Sequence, residues 1–121
     1  ELAAMLHLDR VIAAWKEGQD RILRSAPHLV VAHASKTERT APAAIITALA
    51  HLELAAPTLG LGTCWAGYFT VASQTHTELQ AALHLPEGHA VFGAAMLGYP
   101  KARYHRIPKR RPLEAVFRNG T

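Results

Sequence analysis

An α+β fold, a small sheet with packed helices, is the class this sequence predicts, and three observations carry it. Apolar residues recur at helical spacing in three stretches. The runs "LVVAHA" and "HAVFGAAMLGY" read as short buried strands. A chain of 121 residues holds one ordinary domain and not two. Half of the residues are apolar and 18% are charged, so burial can offset the entropy of ordering the chain.

Over residues 1–19, Leu8, Val11, Ile12 and Trp15 recur at helical spacing, with Asp9, Arg10, Lys16 and Glu17 between them and Gly18 as a stop. This predicts a surface helix with one buried face, and Trp15 belongs to that core face. "APHLVVAHA" at 26–34 is a β-branched apolar run opened by Pro27, which predicts a buried strand from Leu29 to Ala34. "SKTERTAP" then reads as a polar loop. Pro42 suits a first helical turn, with Thr40 as a candidate cap, and Ile45, Leu49, Leu52, Ala56 and Leu59 continue an apolar stripe. His51 and Glu53 alone interrupt the opposite face, so the helix 42–56 is expected to be buried on most sides, in a core or at a subunit interface. Pro57 removes an amide and ends it or kinks it. "LGLG" follows as a glycine-permitted turn.

Thr75 and Glu78 stand at capping-box spacing ahead of Leu79, Ala82 and Leu83, which predicts a short helix closed by "LPEG". The second buried strand spans residues 89–99. Two strands among three helices leave a small sheet that calls for strands outside this chain. After Pro100 the sequence turns polar, basic and proline-punctuated.

The single cysteine, Cys64, leaves no intramolecular disulfide and no zinc site of several thiolates; it fits a reducing compartment, with the cytoplasm as the default. No apolar run is read as approaching the roughly 18 residues of a membrane span, and no membrane is expected. The start, "ELAAMLHLDR", lacks the order of a signal peptide and opens inside a helix without an initiator methionine, so the sequence reads as a piece of a longer protein. Lys101, Arg103, Arg106, Lys109, Arg110, Arg111 and Arg118 concentrate the basic charge in the tail. By composition this is a solvated basic segment, open to an acidic partner, a phosphate-bearing ligand or nucleic acid. With Tyr104 and Phe117 alone interleaved it is a poor stacking platform, so nucleic acid is not the expected partner.

"CWA" at 64–66 matches the nucleophile segment of papain-type cysteine proteases for three letters. That family places a histidine about 130 residues or more beyond its nucleophile, and this chain ends at Thr121. Cys64 therefore reads as a small buried thiol beside Trp65. Eight histidines raise a metal hypothesis. None pair as His-x-x-x-His, His84 and Glu87 straddle a helix end, and His28 and His33 fall on opposite faces of a strand, so no metal site is expected.

Longer strings carry more. An alanine-rich helix, "LGLGTCWAGYF", a short helix closed by "LHLPEGH", then "AMLGYPK" and "IPKRRPLEAV" follow one another from about His28 to Phe117. In order and spacing they resemble the C-terminal half of the FMN-dependent nitroreductase family, most of all the branch joined to a ferredoxin-type iron–sulfur domain. The resemblance implies a nitroreductase-like fold, of which residues 1–121 are a C-terminal portion of the flavin domain, and FMN as cofactor. Trp65, Ala66, Gly67 and Tyr68 match the stretch whose backbone approaches the isoalloxazine. Gly67 would leave room for that approach, although by itself it is equally a turn glycine. Lys109 and Arg111 match the basic pair near the flavin phosphate, and their spacing in an extended segment would point both to one side. The arginine- and serine-containing phosphate motif of the family's N-terminal half has no counterpart here.

The resemblance further implies a homodimer with the flavin at its interface. Electrons would come from NAD(P)H or a reduced iron–sulfur domain and leave to a small electron-poor organic acceptor. The flavin carries such chemistry, so no side chain is assigned a catalytic role. The alternatives are a non-catalytic fragment and a basic-tailed binding module.

Overall fold

The computed structural model describes residues 7–106 and 108–118, and the first six residues of the expected N-terminal helix lie outside them. Helix α1, Leu8–Lys16, forms where the periodicity predicts, and Gly18 in a left-handed conformation follows its end. Its apolar stripe is only partly covered: Ala14 is buried and Leu8 and Val11 are half-buried, but Ile12 is exposed and Trp15 is 68% exposed. The expected core position of Trp15 is thereby corrected. Helical spacing reveals an apolar stripe, and the described residues leave its Ile12 and Trp15 end uncovered.

Strand β1, His28–Ser35, and helix α2, Ala41–Ala55, lie within a residue of their expected bounds. Pro42 occupies the first turn of α2, but Thr40 provides no side-chain cap. Its hydroxyl donates to Glu38 Oε1 at 2.6 Å instead. Pro57 ends α2 as expected, in a single 3₁₀ turn, Ala56–Leu59, and Gly60 closes it at φ +71°.

Strand β2, Gly62–Trp65, and helix α3, Gly67–Thr75, have no counterpart in the sequence reading. Helix α4, Thr77–Ala82, begins one residue later than the capping box requires, with His76 at the N-cap. Thr75 instead belongs to α3, where its hydroxyl donates to the Val71 carbonyl at 3.1 Å, and Glu78 pairs with His76 at 2.7 Å. Strand β3, His89–Gly98, completes the sheet in the order β1-β3-β2, antiparallel throughout. The expected count of two strands is corrected to three, because β2 supplies one from within the chain.

Both faces of β3 are covered. On one, Ile45 and Leu49 of α2 pack on Ala95 with Val30, Ala32 and Phe92 around them. On the other, Phe69 packs on Ala94 and Met96 beside Leu29, Val31, Leu79 and Leu83. This double burial explains the unbroken apolar run of β3. α2 approaches so closely at Gly93 that a Cβ there would stand 2.8 Å from Leu49 Cδ1 and 3.3 Å from Ile45 Cγ2. Next to it, Ala32 pairs with Gly93 and His33 with Val91, which leaves Phe92 as the extra residue of a bulge.

α2 is less enclosed than its composition predicts. Ala41, Ile45 and Leu49 are buried, whereas Ile46 is 53% exposed and Leu54 76%. With the following 3₁₀ turn, Ala41–Leu59 makes a 19-residue helical stretch long and apolar enough, by length and composition, to cross a membrane. This corrects the reading that no run approaches such a length. A helix that buries one apolar face on a sheet passes the same test.

Candidate functional site

At the junction of β2 and α3, Trp65 stands opposite Ala95 in the sheet register, and the Ala66 amide donates to the Ala94 carbonyl at 2.9 Å before the chain turns into α3. Across the other face of β2, Trp65 Nε1 donates to Glu53 Oε2 at 3.2 Å, which orients the indole from α2. Gln74 of α3 donates from Nε2 to the Val91 carbonyl at 3.1 Å and fixes the helix on β3.

A cleft of about 450 Å³ opens here, walled by Trp65, Tyr68, Val71, Met96 and Ile22, with Gly67, Cys64, Arg21 and Arg24 completing it. Its size lies within the range of small-molecule sites, and its walls are mostly apolar with few polar groups. Of the four residues expected along the isoalloxazine, Trp65, Gly67 and Tyr68 line the cleft, and Ala66 is buried beneath it at 2% exposure. Lys109 and Arg111 are exposed in a tail without regular structure, and neither lines this cleft.

Gly67 is the first residue of α3, without a positive φ, and a Cβ there would meet nothing within 4 Å. Neither backbone conformation nor packing among the described residues calls for glycine, so the turn-glycine reading has no support there. α3 has no side-chain cap, and the positive end of its dipole faces the junction. Cys64 is exposed, with Sγ 3.8 Å from the Trp65 carbonyl, which corrects the buried-thiol reading. It sits on a strand rather than at a helix N-terminus, and no histidine lines its cleft.

Sequence reasoning missed Arg21 and Arg24. They ride on a loop folded around Asp20, whose carboxylate accepts the amides of Ile22 and Leu23 at 2.9 Å and of Ser25 at 3.1 Å. The Leu23 and Ser25 amides, with smaller help from Ile22 and Arg24, hold the Asp20 carboxyl below the usual aspartate range. Arg21, Arg24 and Tyr68 also line a neighbouring cleft of about 420 Å³. A third, of about 520 Å³, shares Arg24, Cys64 and Met96 with the first and reaches Lys101 and Tyr104 at the start of the tail. The local signal was an aspartate followed by short-range amides, the mark of an Asx-type turn.

His33 and His89 meet across β1 and β3 with their Nδ1 atoms 2.9 Å apart. Among the described residues no three His, Cys, Asp or Glu side chains gather as a metal site would need.

The arrangement is that of an α+β protein whose ligand-sized cleft lies where a short edge strand turns into a helix. The chain belongs to the nitroreductase family, whose sequence profile matches residues 2–99. The tail with Lys109 and Arg111 lies beyond that match. A crystal structure of a nitroreductase with bound FMN from Bacteroides fragilis has the same fold, at a TM-score of 0.60 and 25% identity over 85% of this chain. The superposition covers 57% of that protein, so this chain spans little more than half its length. No curated protein matches the chain.

Proposed function

We propose that this chain is part of an FMN-dependent oxidoreductase, with the isoalloxazine received by Trp65, Gly67 and Tyr68 above the buried Ala66. The observation that carries the reading is Gly67, an exposed helical glycine beside a ligand-sized cleft for which the fold itself has no use. Close approach of a planar group to the backbone is a physical reason for glycine there. The FMN bound by the Bacteroides fragilis protein supports the choice of cofactor.

FMN supplies two-electron transfer between a donor, NAD(P)H or a reduced ferredoxin-type domain, and a small electron-poor organic acceptor. The chain's own residues hold and tune it. Trp65, fixed by Glu53, and Met96 offer apolar walls that exclude water. The N-terminal end of α3 places partial positive charge beside the ring, where reduction adds negative charge. Lys109 and Arg111 are proposed to hold the phosphate, a role that requires the exposed tail to lie along the bound cofactor. The exposed apolar side of α2, with Ile46 and Leu54, supports a homodimer. The single exposed cysteine fits the reducing cytoplasm.

Titration of the chain into FMN, followed by flavin fluorescence, tests the reading. Saturable quenching that weakens in Lys109→Ala/Arg111→Ala is the expected result. Absence of quenching at tens of micromolar by this chain and by the full-length protein alike would overturn it.

A further inference from the structure

We propose that Arg21 and Arg24 form an anion subsite in the Trp65 cleft, taking an aromatic second substrate that carries a carboxylate or phosphate; this rests on the flavin reading of the cleft and deepens it. Both arginines line the cleft that holds Trp65, Gly67 and Tyr68. Neither forms an ion pair with a carboxylate of the described residues, and Arg21 Nη2 reaches Gln19 Oε1 at 3.5 Å. The neighbouring cleft adds Arg10 to the same two cations. Asp20 lies there too and stays ionised, one carboxylate against three guanidiniums, so the net local charge is positive.

The loop that presents these cations is strained. Arg24 and Ser25 stand at φ +54° and +55°, a left-handed region that L-residues rarely adopt, and the Asp20 carboxylate holds them there. A relaxed loop of this sequence would not need that clamp. The clamped loop presents two guanidiniums without a carboxylate partner among the described residues, planar and forked for a carboxylate or phosphate, next to aromatic and thioether walls that suit a ring. The phosphate of FMN offers the same chemistry, so the test must separate the two sources.

Tryptophan fluorescence reads binding of 4-nitrobenzoate and of neutral 4-nitrobenzamide, and flavin fluorescence reads FMN against riboflavin. Both are measured on the wild-type chain, on Arg21→Gln/Arg24→Gln and on the charge-keeping Arg21→Lys/Arg24→Lys, with circular dichroism to confirm folding. The expected result is a preference of about tenfold for nitrobenzoate, lost in the glutamine variant and largely retained by lysine, with the ratio of FMN to riboflavin unchanged. Equal binding of the two nitro compounds to the wild type would overturn the proposal. So would loss of the FMN preference with the nitro compounds unaffected, which would give the arginines to the cofactor's phosphate. A nitrobenzoate preference that persists where FMN does not bind would uphold the subsite and sink the flavin reading alone.

Discussion

Trp65 Nε1 donates to Glu53 Oε2 at 3.2 Å, so a carboxylate on α2 sets the indole at the end of β2. Trp65 is still 40% exposed, and its sheet pairing fixes the backbone but not the ring. Replacing Glu53 with alanine is expected to free the indole without unfolding the chain. The emission of Trp65, read in a Trp15→Phe background, should shift to the red, and FMN affinity should fall several-fold. An unchanged spectrum would show that packing alone holds the ring.

Gly67→Ala separates ligand binding from stability. With open space around the position and a helical conformation, alanine should leave the melting temperature unchanged or raise stability by up to about 0.5–1 kcal/mol. FMN quenching should weaken in the same variant. Equal affinity of variant and wild type would remove the main support for the flavin reading.

Gly93→Ala should behave in the opposite way. The added methyl would press on Leu49 and Ile45, both buried between α2 and the sheet, so neither can swing into solvent. A loss of roughly 1–3 kcal/mol is expected in urea unfolding.

The Asp20 clamp gives a pH dependence of definite sign. Backbone amides, that of Leu23 foremost, lower its folded value, so its contribution is fully present above the ordinary aspartate range and is lost as the pH falls through the lower folded value. The protection of the Leu23 and Ser25 amides against exchange, relative to free-peptide rates at the same pH, should fall as the pH drops through the lowered Asp20 value. At neutral pH, Asp20→Ala should speed tryptic cleavage after Arg21 and Arg24, and an unchanged cleavage rate would mean that the loop holds itself.

Leu54→Lys tests the outer side of α2. Leu54 is 76% exposed and no described residue covers it, so the substitution should leave the melting temperature of the isolated fold nearly unchanged. If α2 is the dimer interface, sedimentation velocity should show the wild type as a dimer and the variant as a monomer.

The elements legible in the sequence are those whose apolar pattern is long: β1, α2 and β3, the last buried on both faces. β2 was not, because four residues with two exposed side chains carry no readable period. The Trp65–Tyr68 stretch was legible through resemblance, and its neighbours Arg21 and Arg24 were not. They are brought in by a loop that Asp20 shapes through main-chain amides, a geometry without periodicity. The meeting of His33 with His89 depends on cross-strand register 56 residues apart, which no local spacing encodes. Trp15 shows the reverse case, where a clear period marks a position that the described residues leave exposed.

β1 and β2 both pair with β3 and not with each other. Among the described strands, therefore, neither earlier one has a hydrogen-bonding partner until the segment His89–Gly98 has emerged from the ribosome. That late segment closes both ladders together. A stop codon before it would remove the shared partner of β1 and β2, whereas one placed after Pro100 would spare all three described strands.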